Sequence, residues 1–299
     1  MTFLEMLESG TVLLCDGGMG TELQKRGMTV GACPEELNVS DPDLVRQIHR
    51  DYFAAGSDIV ETNSFGGTHA RLAMHDFQDR VREFSTRAAE LARAVCPPEK
   101  FVAGSIGPAG VLLEPFGALS QKEAQQIFTE QAHALKDGGV DVLFVETMMA
   151  CEEAEAAVRA AKETGLPVAA TMTFEPSKFG PRTKWGVDIS TAVARLAAAG
   201  ADIIGANCGC GFDEMIDVIQ AMRPMTDLPI LAQANAGIPE MIDNRAVYRE
   251  TPDALRDRVE KLLGLGVNII GGCCGTAPEH IRMMRQAVDR VNMKPGWHD

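Results

Sequence analysis

The 299-residue sequence has few aromatic residues, a shortage of basic residues and no long apolar run. Phe, Trp and Tyr make up 5% of it, with two Trp and two Tyr, which argues against a surface that stacks nucleic-acid bases. Lys and Arg number 28 against 42 Asp and Glu, and the net charge of -14 would repel a phosphate backbone, so we expect no nucleic-acid partner. No apolar run approaches the roughly 20 residues of a membrane span, so we expect no membrane insertion.

The first residues also lack the basic and apolar regions of a secretory signal peptide. A chain without that signal is expected in a reducing compartment, here the cytoplasm, where disulfides are rare. The eight cysteines are therefore predicted to be free thiols or metal ligands. They are Cys15, Cys33, Cys96, Cys151, Cys208, Cys210, Cys273 and Cys274.

Short apolar runs alternate with amphipathic stretches along the whole chain, a pattern typical of buried parallel strands joined by helices. We predict eight strands, near residues 11–16, 58–63, 101–106, 140–147, 167–174, 202–208, 229–235 and 267–272. Eight such units predict one domain over residues 1–299, a single (β/α)8 TIM barrel. The alternative is a doubly wound open sheet, but Gly17-Gly-Met-Gly20 follows the first strand where that fold carries G-x-G-x-x-G.

The two ends of the predicted barrel differ in their loops. The helix-to-strand turns are short, and each contains a glycine that we expect to end its helix in the left-handed conformation. These glycines are Gly56, Gly139, Gly200 and Gly266. The loops at the opposite end, 107–119, 175–187 and 236–250, are longer, as at the functional face of a TIM barrel.

Helix starts are predicted at three places. Ser120 and Thr276 are each followed by Glu three residues later, which indicates a capping box. Thr251 precedes a proline, which favours the first position of a helix.

Three cysteines fall at the carboxyl ends of predicted strands, where a barrel carries its functional residues. Cys208 ends the sixth strand, and Cys273 and Cys274 end the eighth. Three thiols suit a soft metal, zinc first, and the glycines around the Cys273-Cys274 pair allow the irregular backbone that two adjacent ligands need. The alternatives are unreactive buried thiols or a strained vicinal disulfide.

For Cys15, Cys33, Cys96 and Cys151 we expect only core or surface packing, and the role of Cys210 stays open.

Three thiolates on Zn²⁺ leave a net charge of -1 and one open position. Such a site is a poor electrophile for hydrolysis, which disfavours a metal-dependent hydrolase. Such a site can instead bind a fourth thiol and keep it as a thiolate, a nucleophile suited to accepting an alkyl group. The residues therefore predict zinc-thiolate alkyl transfer.

Polar residues at other strand ends form a candidate substrate site. Asp16 and Glu146 together could hold a cationic amino group, and the backbone amides near Gly17 and Gly18 could receive a carboxylate. Ser105, near the end of the third strand, belongs to the same site. A solvated or ion-paired carboxylate at the barrel rim is the alternative for each acid. No catalytic residue is predicted beyond the zinc site.

Seven motifs, in order along nearly the whole chain, resemble the homocysteine S-methyltransferase family. They are Asp16-Gly-Gly-Met-Gly-Thr-Glu22, Glu61-Thr-Asn-Ser-Phe-Gly66, Gly104-Ser-Ile-Gly-Pro108, Glu146-Thr147, Gly205-Ala-Asn-Cys208, Asn235-Ala-Gly237 and Gly271-Gly-Cys-Cys-Gly-Thr276. The Asn-Cys and Gly-Gly-Cys-Cys combination is the specific part. Within the family, the sequence looks most like the homocysteine-binding module of cobalamin-dependent methionine synthase.

The resemblance implies a zinc-dependent (β/α)8 barrel that methylates homocysteine to methionine. It assigns zinc to the three cysteines Cys208, Cys273 and Cys274, and the amino group of homocysteine to the two acids of the candidate substrate site. Asn235 matches a position that can approach the metal when substrate is absent, and it joins the predicted site on that ground.

The resemblance also bears on the methyl donor. Complete cobalamin-dependent methionine synthases carry folate, cobalamin and reactivation domains. One barrel occupies the 299 residues of this sequence and leaves no room for them. We therefore expect this chain to supply only the methyl-acceptor half. Betaine-using members enclose a cationic donor in aromatic side chains, which are scarce here. The expected donor is therefore methylcobalamin on a separate corrinoid protein. The alternatives are an S-methylmethionine- or betaine-type onium donor, and a zinc- or thiol-binding module that delivers homocysteine without catalysis.

Overall fold

The computed structural model describes residues 1–242 and 245–293. Its main sheet has eight parallel strands, each on a predicted strand to within one residue. They are β1 (Leu13–Leu14), β2 (Ile59–Glu61), β3 (Phe101–Ile106), β4 (Val142–Met148), β5 (Val168–Met172), β6 (Ile203–Asn207), β7 (Ile230–Ala234) and β10 (Ile269–Gly272). Two further strands, β8 (Glu240–Ile242) and β9 (Arg245–Val247), form an antiparallel hairpin in the loop after β7.

The eight parallel strands form a nearly closed barrel. Neighbouring strands follow the order β1-β10-β7-β6-β5-β4-β3-β2. At the two ends of this order, Leu14 and Asp58 join β1 to the start of β2: the Asp58 N–H donates to the Leu14 carbonyl at 2.6 Å, and the Leu14 N–H donates to the Asp58 carboxylate at 2.8 Å. The predicted TIM-barrel fold is confirmed. The predicted domain span of 1–299 includes residues 243–244 and 294–299, which lie outside the described residues.

Helices alternate with the strands and cover the outside of the barrel. They are α1 (Phe3–Glu8), α2 (Met19–Lys25), α3 (Leu37–Ser40), α4 (Pro42–Ala55), α5 (His69–Leu72), α6 (Val81–Arg93), α7 (Gln121–Asp137), α8 (Cys151–Lys162), α9 (Ile189–Ala199), α10 (Phe212–Met222), α11 (Pro252–Gly264) and α12 (Pro278–Asn292). Single 3-10 turns cover Pro34–Glu36, Ala73–His75, Gln78–Arg80 and Arg223–Met225. Within the described ranges, none of these helices is both long and apolar enough to cross a bilayer.

Most predicted helix ends are confirmed. The Ser120 hydroxyl accepts the Glu123 N–H at the start of α7, and the Glu123 carboxylate accepts the Ser120 N–H in return. Thr251 is the N-cap of α11, whose first residue is proline, although the Thr251 side chain makes no capping hydrogen bond. The four glycines of the helix-to-strand turns all have positive φ, between 78° and 110°. These turns are therefore short because glycine ends each helix without the steric cost that a side chain would add.

The prediction for Thr276 is wrong. Its hydroxyl does not cap α12 but donates to the carbonyl of Cys273 at 2.6 Å. The helix begins two residues later, after Ala277, whose N–H donates to His280 Nδ1 at 3.1 Å. Thr276 therefore stabilises the turn that carries the cysteine pair, and an imidazole replaces the expected carboxylate at the helix start.

The barrel interior changes from apolar to polar along the strands. At the amino ends of the strands, Phe3 of α1 packs edge-on against Phe101, with ring centroids 5.3 Å apart, and closes the bottom of the barrel. Alternate residues of each strand then point inward, and the lower ones are apolar. The next inward positions carry polar side chains: Glu61, Ser105, Glu146, Asn207 and Gln233. We call this set the polar layer; it forms the floor of the candidate site.

Candidate functional site

A cavity of about 670 Å³ opens at the carboxyl ends of the barrel strands. Its walls come mainly from the loops after β1 and β2, and its floor from the polar layer. The predicted site residues that line it are Gly17, Gly18, Ser105, Glu146, Cys208, Cys273 and Cys274. The structure thus brings together residues from β1, β3, β4, β6 and β10 at one opening. Asp16 and Asn235 lie behind this surface.

The three predicted metal ligands form one cluster. The sulfur atoms of Cys208, Cys273 and Cys274 lie within 4.8 Å of one another. Cys208 follows β6 in the left-handed region, with φ of 55°, and β10 ends at Gly272, before the cysteine pair. Gly275, with φ of 81°, continues the turn. Because the pair lies beyond the regular strand, its two side chains escape the alternation that would send them to opposite faces.

The three thiols influence one another's pKa. Contacts from Cys273 and Cys274 lower the pKa of Cys208 far below the usual range of a thiol. The bond to Cys208 raises the pKa of Cys274 to about 12, and it raises the pKa of Cys273 further. One thiolate in this cluster is therefore stabilised by the two neighbouring thiols.

The donor chemistry of this cluster fits zinc. A tetrahedral zinc ion with thiolate ligands at about 2.3 Å places its sulfur atoms about 3.8 Å apart, which the observed span accommodates. Three protein ligands leave one of the four positions for an incoming ligand, as in catalytic zinc sites. The cluster also faces the cavity, so an incoming ligand has access to it.

Cys210 lies outside the cluster although it is two residues from Cys208. Its side chain packs in the hydrophobic core, its N–H donates to the Cys208 carbonyl at 2.7 Å, and burial raises its pKa to about 12. Its role is therefore packing. All eight cysteines are free thiols.

Asp16 is buried just beneath the cavity floor, with 1% of its surface exposed. Its Oδ2 atom accepts the N–H of Glu61 at 3.0 Å, and the thiol of Cys15 lies 3.6 Å from Oδ1. Burial raises the pKa of Asp16 to about 8. The carboxylate thus gains its charge most easily when a cation lies beside it.

Glu146 is held in the polar layer by hydrogen bonds from its neighbours. It accepts hydrogen bonds from the Ser105 hydroxyl and, at 3.0 Å, from Nδ2 of Asn207. Burial and the charge of Glu61 raise its pKa well above the usual range. In the described part of the chain, no Lys, Arg or His forms an ion pair with Asp16, Glu61 or Glu146. The cavity floor therefore carries three acids without a paired base in the described structure and is suited to a cationic group of a ligand, beside which they would ionise.

Gly17 and Gly18 pass close to the turn after β10. A Cβ on Gly17 would lie 2.6 Å from Thr276 Oγ1, and one on Gly18 would lie 2.8 Å from the Cys273 carbonyl, so this approach requires glycine. The N–H of Gly18 donates to the Thr276 carbonyl at 3.0 Å. Of the two predicted amides, that of Gly17 is therefore the candidate for binding a carboxylate.

Asn235 lies behind Cys208, just after β7. Its N–H donates to the Cys210 carbonyl at 3.1 Å, and its side chain helps to lower the pKa of Cys208. Its Oδ1 atom is buried without a hydrogen-bond partner among the described residues. The Asn235 side chain is thus placed against the cluster.

Three polar-layer residues were not among the predicted site residues. They are Glu61, at the end of β2, Asn207, the last residue of β6, and Gln233, within β7. A sequence signal existed: each lies an even number of residues after an inward-facing apolar residue of its own strand, as Glu146 does on β4. Since side chains alternate along a strand, each therefore points inward as well. Polar residues at inward positions near strand ends point to the site.

Comparisons with known proteins identify the family. The family described as homocysteine S-methyltransferase matches residues 13–288. Methionine synthase from Mycobacterium leprae (strain TN) is 35% identical over 300 residues, covering 94% of this chain and 24% of that protein. Methionine synthase from Mycobacterium tuberculosis (strain ATCC 25618 / H37Rv) is 34% identical over 302 residues, covering 95% and 25%. The chain spans about a quarter of the length of these relatives.

Solved structures give the same result. The metallated form of the homocysteine methyltransferase MmuM from Escherichia coli superimposes with a TM-score of 0.79 at 25% identity, covering 94% of this chain and 98% of that chain. A methyltransferase from Methanosarcina mazei shares the fold, with a TM-score of 0.63 at 11% identity. Since the family match extends from the first barrel strand into the last helix, the chain belongs to the homocysteine S-methyltransferase family.

Proposed function

We propose that this chain catalyses zinc-dependent transfer of a methyl group to the thiol of homocysteine, giving methionine. The observation that carries the proposal is the meeting of three thiols and a floor of buried acids in one cavity. A thiol substrate with an α-amino group fits both parts. Family membership and the similarity to an E. coli homocysteine methyltransferase support the same substrate.

In this proposal Cys208, Cys273 and Cys274 hold the zinc ion. Zinc bound there supplies a positive centre that keeps a fourth, incoming thiol deprotonated near neutral pH. Since thiolate ligands require reduced cysteines, we also place the activity in a reducing compartment such as the cytoplasm.

The remaining site residues bind and orient homocysteine. Asp16 and Glu146 accept hydrogen bonds from its ammonium group, and Ser105 keeps Glu146 in position. The Gly17 amide receives its carboxylate, and Asn235 moves away from the cluster when the substrate sulfur arrives. The homocysteine sulfur then forms a bond to the methyl carbon as the bond between that carbon and the donor breaks. Orientation of the two reactants lowers the barrier because it removes the entropic cost of bringing them together.

We further propose that the donor is methylcobalamin on a separate corrinoid protein. Phe65 is the single Phe, Tyr or Trp that lines the cavity in the described ranges, which is too few for an aromatic cage around an onium donor. The loops around the opening instead expose apolar side chains, which mark a protein-binding surface. We call these the apolar rim: Val111, Leu112, Phe116, Phe179, Trp185, Ile238, Met241 and Ile242.

A small onium donor is the second candidate. The cavity volume of about 670 Å³ extends well beyond the cysteine cluster, toward Met19, Met28 and Met74. A donor the size of S-methylmethionine fits in this space beside homocysteine. The E. coli homocysteine methyltransferase has the same overall fold, and its alignment covers nearly all of both chains.

The test is a methyl-transfer assay on zinc-loaded protein with homocysteine, comparing methylcobalamin, S-methylmethionine and betaine. We expect methionine from methylcobalamin, and loss of both zinc and activity in the Cys208→Ala variant. Cys210→Ala is the matched control, since it removes a nearby thiol that lies outside the cluster. Full activity of a metal-free Cys208→Ala protein would refute the mechanism.

The donor comparison separates the alternatives. Methionine from an onium compound and none from methylcobalamin would replace the proposed donor. Binding of zinc and homocysteine without turnover from any of the three donors would favour the module that delivers homocysteine without catalysis.

A further inference from the structure

Glu61 is an acidic residue of the cavity floor that the proposed function leaves without a role. It ends β2, is partly buried and lines the cavity. Its Oε1 atom accepts a hydrogen bond from Nε2 of Gln233 on β7 and lies 3.5 Å from the Cys15 thiol. Its backbone N–H donates to Asp16. Glu61 is thus tied by short contacts to the acid already proposed to bind an ammonium group.

Within the described structure, the contacts of Glu61 include hydrogen-bond donors but no cation. Its neighbours Asp16 and Glu146 are also acids, and no basic side chain among the described residues pairs with any of the three. Burial and the charge of Asp16 raise the pKa of Glu61. A buried carboxylate of this kind is stabilised by a cation that offers several N–H donors.

Gln233 provides an independent sign of a ligand at this place. Only 2% of its surface is exposed, and it lines the cavity. Its Nε2 is used by Glu61, but its Oε1 has no hydrogen-bond partner among residues 1–242 and 245–293. Buried amide oxygens are normally satisfied, so a donor from a ligand is the simplest partner. Carboxylates and an amide oxygen together offer only acceptors, which matches the three N–H donors of an ammonium group.

We propose that Glu61, supported by Gln233, is a third acidic contact for the substrate's ammonium group and sets the preference for thiols that carry an α-amino group. This inference rests on the proposed function. A thiol without the amino group would leave the buried carboxylates uncompensated, and sites of that kind reject the incomplete ligand strongly. Glu61 therefore acts on substrate choice rather than on zinc binding.

The test compares two thiols that differ only in the amino group. Zinc-loaded protein is titrated calorimetrically with homocysteine and with 4-mercaptobutyric acid. We expect the unmodified protein to prefer homocysteine, and Glu61→Gln to reduce the ratio of the two affinities by about tenfold or more, the size expected for a hydrogen bond to a charged group. Glu61→Asp, which keeps the charge, should restore part of the ratio.

Glu153→Gln is the matched control. Glu153 is a partly buried carboxylate outside the cavity that accepts the Ala109 N–H at 2.9 Å, so its substitution should leave the ratio unchanged. If Glu61→Gln fails to fold, as judged by circular dichroism, Gln233→Met tests the same subsite, and it should also lower the ratio.

The outcomes distinguish this inference from the proposed function. If the unmodified zinc-loaded protein binds neither thiol, both are overturned. If it prefers homocysteine and Glu61→Gln weakens both thiols equally or leaves the ratio intact, only the role of Glu61 is overturned. A reduced ratio with an unchanged zinc content supports the assignment.

Discussion

Asn207 Nδ2 donates a hydrogen bond to Glu146 Oε2 at 3.0 Å and so joins β6 to β4 across the polar layer. Its Oδ1 atom accepts from the Thr147 N–H at 2.8 Å and from the Thr171 hydroxyl at 2.7 Å. Thr147 has a φ of 61°, an unfavourable value for a β-branched residue, and these bonds hold it there. Since Asn207 directly precedes Cys208, one side chain connects the proposed ammonium subsite with the proposed zinc site.

The first prediction concerns this amide. Asn207→Asp keeps the acceptor for Thr147 but removes the donor to Glu146 and places a second carboxylate against it. We expect homocysteine to bind about tenfold or more weakly, because a hydrogen bond to a charged group is lost and a like charge is added, while zinc content stays the same. Calorimetric titration of zinc-loaded protein measures this. Asn292→Asp, at the opposite end of the barrel, is the control; equal weakening in both variants would contradict the assignment.

The second prediction is a conflict between binding and stability at Asp16. The pKa of this buried acid is raised to about 8, so the folded protein keeps a proton that the unfolded chain loses near pH 4. Asp16 therefore opposes folding more strongly as the pH rises from about 4 to 8. In protein without homocysteine, Asp16→Asn should raise the free energy of unfolding by on the order of 2 kcal/mol at pH 8, and by less at pH 5.

Denaturant unfolding of the two proteins at both pH values checks this prediction. The same substitution should weaken homocysteine binding, because an amide cannot compensate an ammonium charge. A variant that loses stability at pH 8 while binding homocysteine as well as before would show that Asp16 serves the fold rather than the ligand.

The third prediction concerns His49, which is buried in α4 with no exposed surface. Neither ring nitrogen has a hydrogen-bond partner within the described structure, and burial lowers the pKa of His49 to about 4. Below about pH 6.5 the unfolded chain takes up a proton that the folded protein refuses until about pH 4. Stability should therefore fall as the pH drops through this window, by up to about 3 kcal/mol from this residue.

His49→Leu should remove that component, so its free energy of unfolding should decline less between pH 6.5 and 4 than that of the unmodified protein. Denaturant unfolding across this range gives the difference between the two proteins, in which the titration of other groups cancels. His133→Leu, at a partly exposed position of α7, is the control for the loss of a histidine. Parallel curves for the unmodified protein and His49→Leu would refute the assignment.

The fourth prediction tests the apolar rim. Phe116 and Trp185 come from the loops after β3 and β5, and their ring centroids lie 5.7 Å apart with 72% and 47% of each residue exposed. If a corrinoid protein docks there, Trp185→Ala should slow methyl transfer from that protein by about tenfold, as for a central aromatic contact, and spare homocysteine binding. Met225→Ala is the control, since Met225 is equally exposed near the amino ends of the strands. Equal loss of homocysteine binding would count against a docking role.

Much of the fold follows from local sequence patterns. Each apolar run became a strand because residues buried on both faces of a parallel sheet need no alternation, and glycine ended the helices at the expected turns. The cysteine cluster was also predictable, because the carboxyl ends of barrel strands lie around one opening regardless of the loop conformations. Thr276 was not: a local capping pattern lost to a hydrogen bond with Cys273, which forms only once the chain turns after β10.

The sequence by itself determined the strands, their order along the chain and the thiols at their ends, since these depend on burial periodicity and local backbone preferences. Tertiary structure alone decided which distant polar residues meet. Glu61 and Gln233 are 172 residues apart, and their hydrogen bond exists only because closure of the barrel brings β2 and β7 to the same floor. In the same way, the Gly18 N–H donates to the Thr276 carbonyl only because β1 lies beside β10. The strength and direction of such contacts depend on strand register and closure, which no local pattern contains.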